Sequence, residues 1–225
     1  MQMKHARRYY FDYPMPERPD FESYTRWLMR QARMTPPVSD ALDRARGVMS
    51  EHKRVCYIAG ALTEATSADK ERYEIVSRIA GEHGMFGYAP HLYGTDPVRH
   101  PSVTPREVRD IDYLWAVVMP DLHINFLCPI AHGNAIEQGW AECFCIPTVY
   151  VADRMGRISR LPAGMFNILE VIRYNDIDEA YRRITTLFTE LKDFNPPREE
   201  RIVDNRILEY LIHIKFLRSE LINPA

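Results

Sequence analysis

Long apolar runs are absent from this chain of 225 residues. No stretch approaches the roughly 18 consecutive apolar residues that a membrane-spanning helix needs. The first ten residues, MQMKHARRYY, lack the apolar segment of a secretory signal peptide. The sequence therefore predicts a soluble protein with no membrane partner, and we expect it to be cytoplasmic.

The chain also has no excess of charge of one sign. It carries 29 Lys and Arg residues against 31 Asp and Glu residues, which gives a formal net charge of −2. No dense run of basic residues occurs in it. Because proteins that hold a phosphate backbone need a basic surface, these features argue against a nucleic-acid polymer as the partner.

Cysteine is scarce too. The four cysteines lie in apolar surroundings and lack the Cys-x-x-Cys spacing of zinc sites; they are Cys56, Cys128, Cys143 and Cys145. Free, buried thiols are the interpretation that fits best. We predict neither a metal site nor a disulfide.

Short apolar segments alternate with helical patterns through the middle of the chain. Strands are predicted at 54–60, 85–89, 122–127, 148–152 and 168–174, and the helical patterns begin near 68, 106, 135 and 177. Parallel strands need crossover connections, which these helices supply. The sequence therefore predicts an α/β fold, a flavodoxin- or Rossmann-like three-layer sandwich with a mainly parallel sheet of about five strands.

Helical extensions flank this predicted core. Before the core, helical patterns occupy 21–32 and 39–51, with Ser39 as the predicted N-cap of the second. After it, residues 202–219 carry an apolar stripe that either closes the domain or mediates self-association. We predict three parts: an N-terminal extension (1–53), a core domain (54–195) and a C-terminal helix (196–225).

The segment with the clearest candidate catalytic residue is 130–141, IAHGNAIEQGWA. Gly133 permits a tight turn, Asn134 can cap the next helix, and Glu137 would then lie in its first turn. Glu137 is either a carboxylate aimed at the ligand side of the sheet or the partner of Asn134 in a capping box. Local sequence alone favours the capping box.

Three motifs, in this order, resemble the nucleoside 2-deoxyribosyltransferase-like family, which includes enzymes that cleave nucleoside 5′-monophosphates. The first is the turn Tyr57-Ile58-Ala59-Gly60 at the end of a strand. The second is Asp112 on a helix before the strand at 122–127, and the third is Glu137 followed by x-Gly-x-Ala. The resemblance covers about residues 55–174.

The resemblance implies cleavage of the N-glycosidic bond of a nucleoside or nucleoside 5′-monophosphate, by hydrolysis or by transfer of the sugar to another base. Glu137 takes the role of the nucleophile, and Tyr57 orients it. Asp112 takes the role of the group that contacts the substrate and helps to protonate the leaving base. Asp110 competes for that role, because the spacing from Asp112 to Asp121 is one residue longer than the family pattern. No metal or organic cofactor is expected.

The resemblance also implies a set of substrate contacts: Ala59, Gly60, His91, Asp110, His132, Gly133, Asn134 and Asn167. His91 is either such a contact or a solvated loop residue. Asn167 matches an asparagine that some relatives contribute across a dimer, so a homodimer or higher homo-oligomer is expected. Ala131 stands where the family carries Asp or Ser, so the usual sugar or phosphate contact is missing or replaced.

Two other functions stay open at this point. The same nucleophile serves a glycohydrolase that acts on NAD, and the absence of G-x-G-x-x-G counts only weakly against it, since that motif serves a different mode of binding. Alternatively, the protein is a non-catalytic nucleotide-binding module. In that case Glu137 merely caps its helix, and the terminal extensions bind a partner protein.

Overall fold

The computed structural model describes residues 17–51, 53–129, 131–156, 158, 162, 164–165 and 167–192. The aromatic N-terminal segment and the helix predicted at 202–219 lie outside the described residues. So does the predicted boundary between the core domain and the C-terminal helix.

The described elements alternate between strands and helices. In chain order they are α1 (Phe21–Arg30), α2 (Pro36–Ser50), β1 (Arg54–Ala59), α3 (Ser67–Glu82), β2 (Met85–Tyr88), α4 (Pro90–Tyr93), α5 (Pro105–Tyr113), a π-helical turn (Leu114–Val118), β3 (Leu122–Phe126), α6 (His132–Cys143), β4 (Thr148–Asp153), β5 (Ile168–Tyr174) and α7 (Ile177–Lys192). Within the described ranges, no helix is long and apolar enough to span a membrane.

The strands form one parallel sheet in the order β2-β1-β3-β4-β5. This confirms the predicted α/β three-layer fold with about five strands. From β1 the chain first adds β2 on one side, and then adds β3, β4 and β5 in turn on the other side. Ligands of open α/β sheets bind where the strand order reverses in this way, beside the carboxyl ends of the strands. The structure therefore directs attention to the ends of β1 and β3.

Side chains of each strand alternate between two hydrophobic clusters, one on each face of the sheet. Cys56 and Ile58 of β1 pack with α3 and α7, whereas Tyr57 and Ala59 pack on the opposite face with α1, α2, α5 and the π-helical turn. Leu28 of α1 is fully buried there. The two N-terminal helices therefore belong to the core that backs one face of the sheet.

Several predicted boundaries need correction. The second helix begins at Pro36 with Thr35 as its N-cap, so Ser39 lies inside it. Proline is tolerated there because the first helical residues need no intrahelical partner for their N–H groups. Gly84 ends α3 with a φ of 74°, as predicted. Of the four cysteines expected to be buried, only Cys56 is; Cys128 and Cys145 are half-buried, and Cys143, in the last turn of α6, is exposed.

Candidate active site

Glu137 lies inside α6 and does not cap it. The helix begins at His132 with Ala131 as its N-cap, three residues before the predicted cap Asn134. The capping-box interpretation is therefore wrong. The Glu137 side chain is buried, and its Oε1 accepts a hydrogen bond of 2.8 Å from the Tyr57 hydroxyl on β1.

A chain of side-chain hydrogen bonds fixes α6 on the sheet. Asn134 Nδ2 donates to the carbonyl of Phe126 at the end of β3, at 2.9 Å. Gln138 Nε2 donates to Asn134 Oδ1 at 3.1 Å, and the Tyr150 hydroxyl on β4 donates to Gln138 Oε1 at 3.0 Å. These bonds hold α6 against β3 and β4, and the bond from Tyr57 to Glu137 joins the helix to β1. The carboxamide of Asn134 is occupied in positioning the helix.

Stacked aromatic rings form a floor beneath Glu137. The ring of Tyr57 lies 5.8 Å from that of Tyr88 and 5.0 Å from that of His123, measured between centroids. Tyr88 in turn stacks on Trp115 at 4.3 Å and on Tyr93 at 5.0 Å. Because Tyr57 is fully buried, its hydroxyl requires a partner inside the protein, and Glu137 is that partner.

The two candidate aspartates of α5 have different surroundings. Asp110 is almost fully buried, and its Oδ1 lies 3.0 Å from Arg33 and from Arg109. Its backbone carbonyl accepts a hydrogen bond from the Tyr24 hydroxyl at 2.9 Å. Asp110 therefore fastens the N-terminal helices to α5. Asp112 interacts electrostatically with Glu137: its negative charge is one of the causes that raise the pKa of Glu137.

Burial raises the pKa of both Glu137 and Asp112, and it is the largest cause for each. The Tyr57 hydrogen bond acts in the opposite direction on Glu137. The nearby Thr95 hydroxyl likewise lowers the pKa of Asp112. The two side chains do not form a hydrogen bond, because Thr95 Oγ1 and Asp112 Oδ1 both lack a partner in the described part of the chain. Asp112 as a residue is partly exposed, but its Oδ1 is sealed from solvent.

Among the described residues, no Lys, Arg or His forms an ion pair with either Glu137 or Asp112. The charge of Asp112 raises the pKa of Glu137, so ionisation of one carboxyl group disfavours ionisation of the other. Such a pair supplies an acid and a nucleophile or base at one site.

The other predicted contact residues divide into two groups. Ala59 is buried at the end of β1, Gly60 follows it, and His132 and Gly133 are exposed at the start of α6. These four lie at the carboxyl ends of β1 and β3, the same edge as Asn134.

The remaining two residues are His91, which follows the carboxyl end of β2, and Asn167, which precedes β5. His91 is fully buried against α3, with Nε2 3.0 Å from Glu74 Oε1 and its ring against Tyr73, so it is not a solvated loop residue. Tyr73 belongs to the cluster on the face opposite Tyr57. Asn167 precedes β5 and donates to the carbonyl of Ile146, at the amino ends of the strands. The described contacts of His91 and Asn167 do not include Glu137, and their roles as substrate contacts stay predictions.

Gly60 is required by the packing of Tyr73. A Cβ atom at Gly60 would collide with the Tyr73 ring, whose hydroxyl donates to the carbonyl of Ala61 at 3.2 Å. We expect Gly60→Ala to lower the free energy of unfolding by about 1–3 kcal/mol, measured by urea denaturation. Gly47→Ala is the control, since a Cβ there meets nothing within 4 Å inside α2, and it should stabilise by about 0.5–1 kcal/mol. A Gly60→Ala variant as stable as wild type would contradict this account.

Sequence inspection missed three polar residues on this side of the sheet. The Tyr88 hydroxyl, Thr95 Oγ1 and both polar side-chain atoms of Asn125 are buried and have no hydrogen-bond partner in the ranges that the structure describes. Asn125 alone left a signal, because asparagine is disfavoured inside an apolar strand such as LHINF. Nothing in the local sequence marks Tyr88 or Thr95.

Comparisons with known proteins give a partial likeness to solved structures. No family model matches the chain, and no curated protein matches it. Among solved structures, the chain is similar to the CMP N-glycosidase BcmB of Clostridium botulinum, with 21% sequence identity and a TM-score of 0.48. The alignment covers 60% of this chain and 99% of that chain. At this level of similarity, a functional assignment has to rest on the geometry of the site.

Proposed function

We propose that the protein cleaves the N-glycosidic bond of a nucleoside or nucleoside 5′-monophosphate, with Glu137 as the nucleophile. One observation carries the proposal. Glu137 is buried and accepts a hydrogen bond from Tyr57 of β1, beside the point where the strand order reverses. Its pKa and that of Asp112 are both raised, and the charge of Asp112 contributes to the shift of Glu137. Perturbed carboxyl pairs in such positions are typical of catalytic sites.

The tyrosine hydrogen bond favours one distribution of charge within the pair. The Tyr57 hydroxyl donates to Glu137 Oε1 and so stabilises the ionised form of Glu137. No comparable donor serves Asp112 Oδ1 within the described residues. The proposal requires Glu137 to carry the negative charge and Asp112 to hold the proton when the substrate reacts, as a nucleophile and a general acid do.

The chemistry then proceeds in two steps. Glu137 attacks the anomeric carbon, a C–O bond forms as the C–N bond breaks, and the electrons of that bond leave with the base. Asp112 donates its proton to the departing base. Water, or a second base, then attacks the glycosyl ester and gives its proton to the Asp112 carboxylate. The first outcome is hydrolysis, and the second is transfer.

The aromatic floor contributes by excluding water. Tyr57, Tyr88 and Trp115 are fully buried beneath the carboxyl pair. In a site of low dielectric constant, the interaction between Glu137 and the developing positive charge on the sugar is stronger than in water. Preorganised residues of this kind do not have to reorient during the reaction.

Tyr57→Phe is expected to lower kcat/KM by about ten- to a hundredfold. Without the hydroxyl, the pKa of Glu137 rises further, so the acidic limb of the kcat/KM profile shifts to higher pH. Profiles measured from pH 5 to 9 test this. Tyr24→Phe is the matched control, because it removes a buried tyrosine hydrogen bond at Asp110 instead. The control should leave the profile in place, and an unshifted acidic limb in Tyr57→Phe would count against the role of Tyr57.

Free-base release tests the proposed function itself. Wild-type protein is incubated with nucleosides, their 5′-monophosphates and NAD, with and without an acceptor base, and the products are separated by chromatography. Release from a nucleoside or monophosphate supports the proposal. Release from NAD alone overturns the substrate class in favour of an NAD-type glycohydrolase. No release from any compound overturns the enzymatic proposal in favour of a binding module.

A further inference from the structure

Asn125 is a fully buried residue that pairs with nothing in the described part of the chain. Both its Oδ1 and its Nδ2 lack a hydrogen-bond partner, and no other described side chain leaves two buried polar atoms unpaired. Buried carboxamides are normally satisfied, because an unpaired one loses its bonds to water without replacement. An unsatisfied one on the ligand side of an α/β sheet points to a ligand group that pairs with it.

The register of the sheet places Asn125 beside the proposed nucleophile. On β3, Asn125 lies opposite Ala59 of β1 and Tyr150 of β4. Strand alternation puts its side chain on the same face as His123, whose ring contacts Tyr57. Tyr57 and Tyr150, on the strands to either side, donate to Glu137 and Gln138 of α6.

The neighbour of Asn125 on β1 is small, whereas its neighbour on β4 is Tyr150. Ala59 presents only a methyl group next to Asn125, and Gly60 follows it at the strand end. Below this level lies the aromatic floor of Tyr57 and His123. The partner that the Asn125 carboxamide lacks would lie above that floor, beside Ala59 and Gly60.

Displacement at an anomeric carbon puts the nucleophile and the leaving base on opposite faces of the sugar. In a β-nucleoside, the 2′- and 3′-hydroxyls of ribose lie on the face away from the base, and so on the face that Glu137 attacks. A carboxamide offers one acceptor and two donors side by side. Two adjacent hydroxyls, each able to donate and accept, are its complement.

We propose that Asn125 binds the vicinal 2′- and 3′-hydroxyls of a ribose, so that the site prefers ribonucleosides or ribonucleotides to their 2′-deoxy counterparts. This inference rests on the proposed function of Glu137. A 2′-deoxy substrate leaves one half of the buried carboxamide unpaired, and sites built to bind a hydroxyl reject the analogue that lacks it. The base does not contribute to this preference.

Asn125→Leu tests the assignment. The wild-type kcat/KM for each ribo substrate is expected to exceed that for its 2′-deoxy counterpart by about 30-fold or more. The leucine variant should lose that ratio to within about threefold, mainly through slower reaction of the ribo substrate. An unchanged ratio in the variant, or a wild-type preference for 2′-deoxy substrates, overturns the inference while leaving the proposed function in place.

Thermal unfolding separates substrate binding from a structural role. Asn125→Leu removes no described hydrogen bond, so its Tm without ligand should equal or exceed that of wild type. In the Glu137→Gln background, adenosine, cytidine, guanosine or uridine should raise Tm more than its 2′-deoxy form, and adding Asn125→Leu should abolish the difference. A clearly lower Tm together with an unchanged ligand difference would make Asn125 structural and overturn the inference.

A second variant and a second measurement separate a failure of this inference from a failure to fold or a failure of the proposed function. If Asn125→Leu fails to fold, Asn125→Ala adds no bulk and carries the same expectations. If wild type releases no base from any substrate, the proposed function fails, and the ligand-dependent Tm shifts still test whether Asn125 binds the ribose diol.

Discussion

Glu137→Gln is expected to abolish base release, with kcat/KM lowered by about 10⁴-fold or more. Glutamine has the shape of glutamate and still accepts the hydrogen bond from the Tyr57 hydroxyl, but it cannot form the glycosyl ester. Chromatographic rates for both proteins on the best substrate measure the effect. Glu142→Gln is the control, because Glu142 lies on the same helix and should leave the rate unchanged.

The same substitution has a defined effect on stability. Burial raises the pKa of Glu137 in the folded protein above its unfolded value of about 4.3. The stability contributed by the protonated form is complete below that unfolded pKa and is lost as pH rises through the folded pKa. Glutamine does not titrate, so the variant should be more stable than wild type at pH 8, with a smaller difference at pH 5.

Urea unfolding at the two pH values measures this difference. A variant that is less stable than wild type at pH 8, or one that retains base release, would contradict the account. The first result would mean that Glu137 is needed for folding, and the second that another group is the nucleophile.

Asp112→Asn is expected to lower kcat/KM by about 10²- to 10⁴-fold. Asparagine cannot protonate the leaving base, so the basic limb of the kcat/KM profile should disappear as well. The loss should be much smaller for a substrate whose base leaves without a proton, such as 7-methylguanosine compared with guanosine. An equal loss on both substrates would show that Asp112 does not act as the general acid.

Asp110→Asn supplies the matched comparison two residues away. Asp110 is ion-paired with Arg33, whose side chain is 15% exposed, and with Arg109. Removing a buried charge that neutralises arginine is strongly destabilising, by about 3–5 kcal/mol. The folded variant should nevertheless retain its kcat/KM and its pH profile. If Asp110→Asn instead reproduced the profile of Asp112→Asn, the assignment of roles on α5 would be reversed.

The periodicity of the sequence was sufficient to predict the strands and the layered architecture. The pattern over 168–174 matches β5 (Ile168–Tyr174) without a shift at either end. Buried parallel strands read as continuous apolar runs, and here each run is bounded by a glycine, a proline or a polar turn residue. The order β2-β1-β3-β4-β5 did not follow from local patterns, because strand neighbours are chosen by tertiary contacts.

The start of α6 shows where local patterns fail. Asn134 has the sequence context of an N-cap, but its carboxamide bonds to Phe126 and Gln138 instead. The contact between Tyr57 and Glu137 joins residues 80 positions apart, so only a family resemblance suggested it. Likewise, the burial of His91 against α3 and the unpaired carboxamide of Asn125 depend on the packed structure, which short-range spacing does not encode.

The most direct test of the central claim is to trap the covalent intermediate. Wild-type protein is treated with a 2′-fluoroarabino nucleoside of the preferred base, because fluorine at that carbon slows breakdown of the glycosyl ester. The protein is then digested and examined by mass spectrometry. One fluoropentosyl adduct is expected on Glu137 of wild type and none on the Glu137→Gln variant. Base release without an adduct, or an adduct on another residue, would contradict the assignment of Glu137 as the nucleophile.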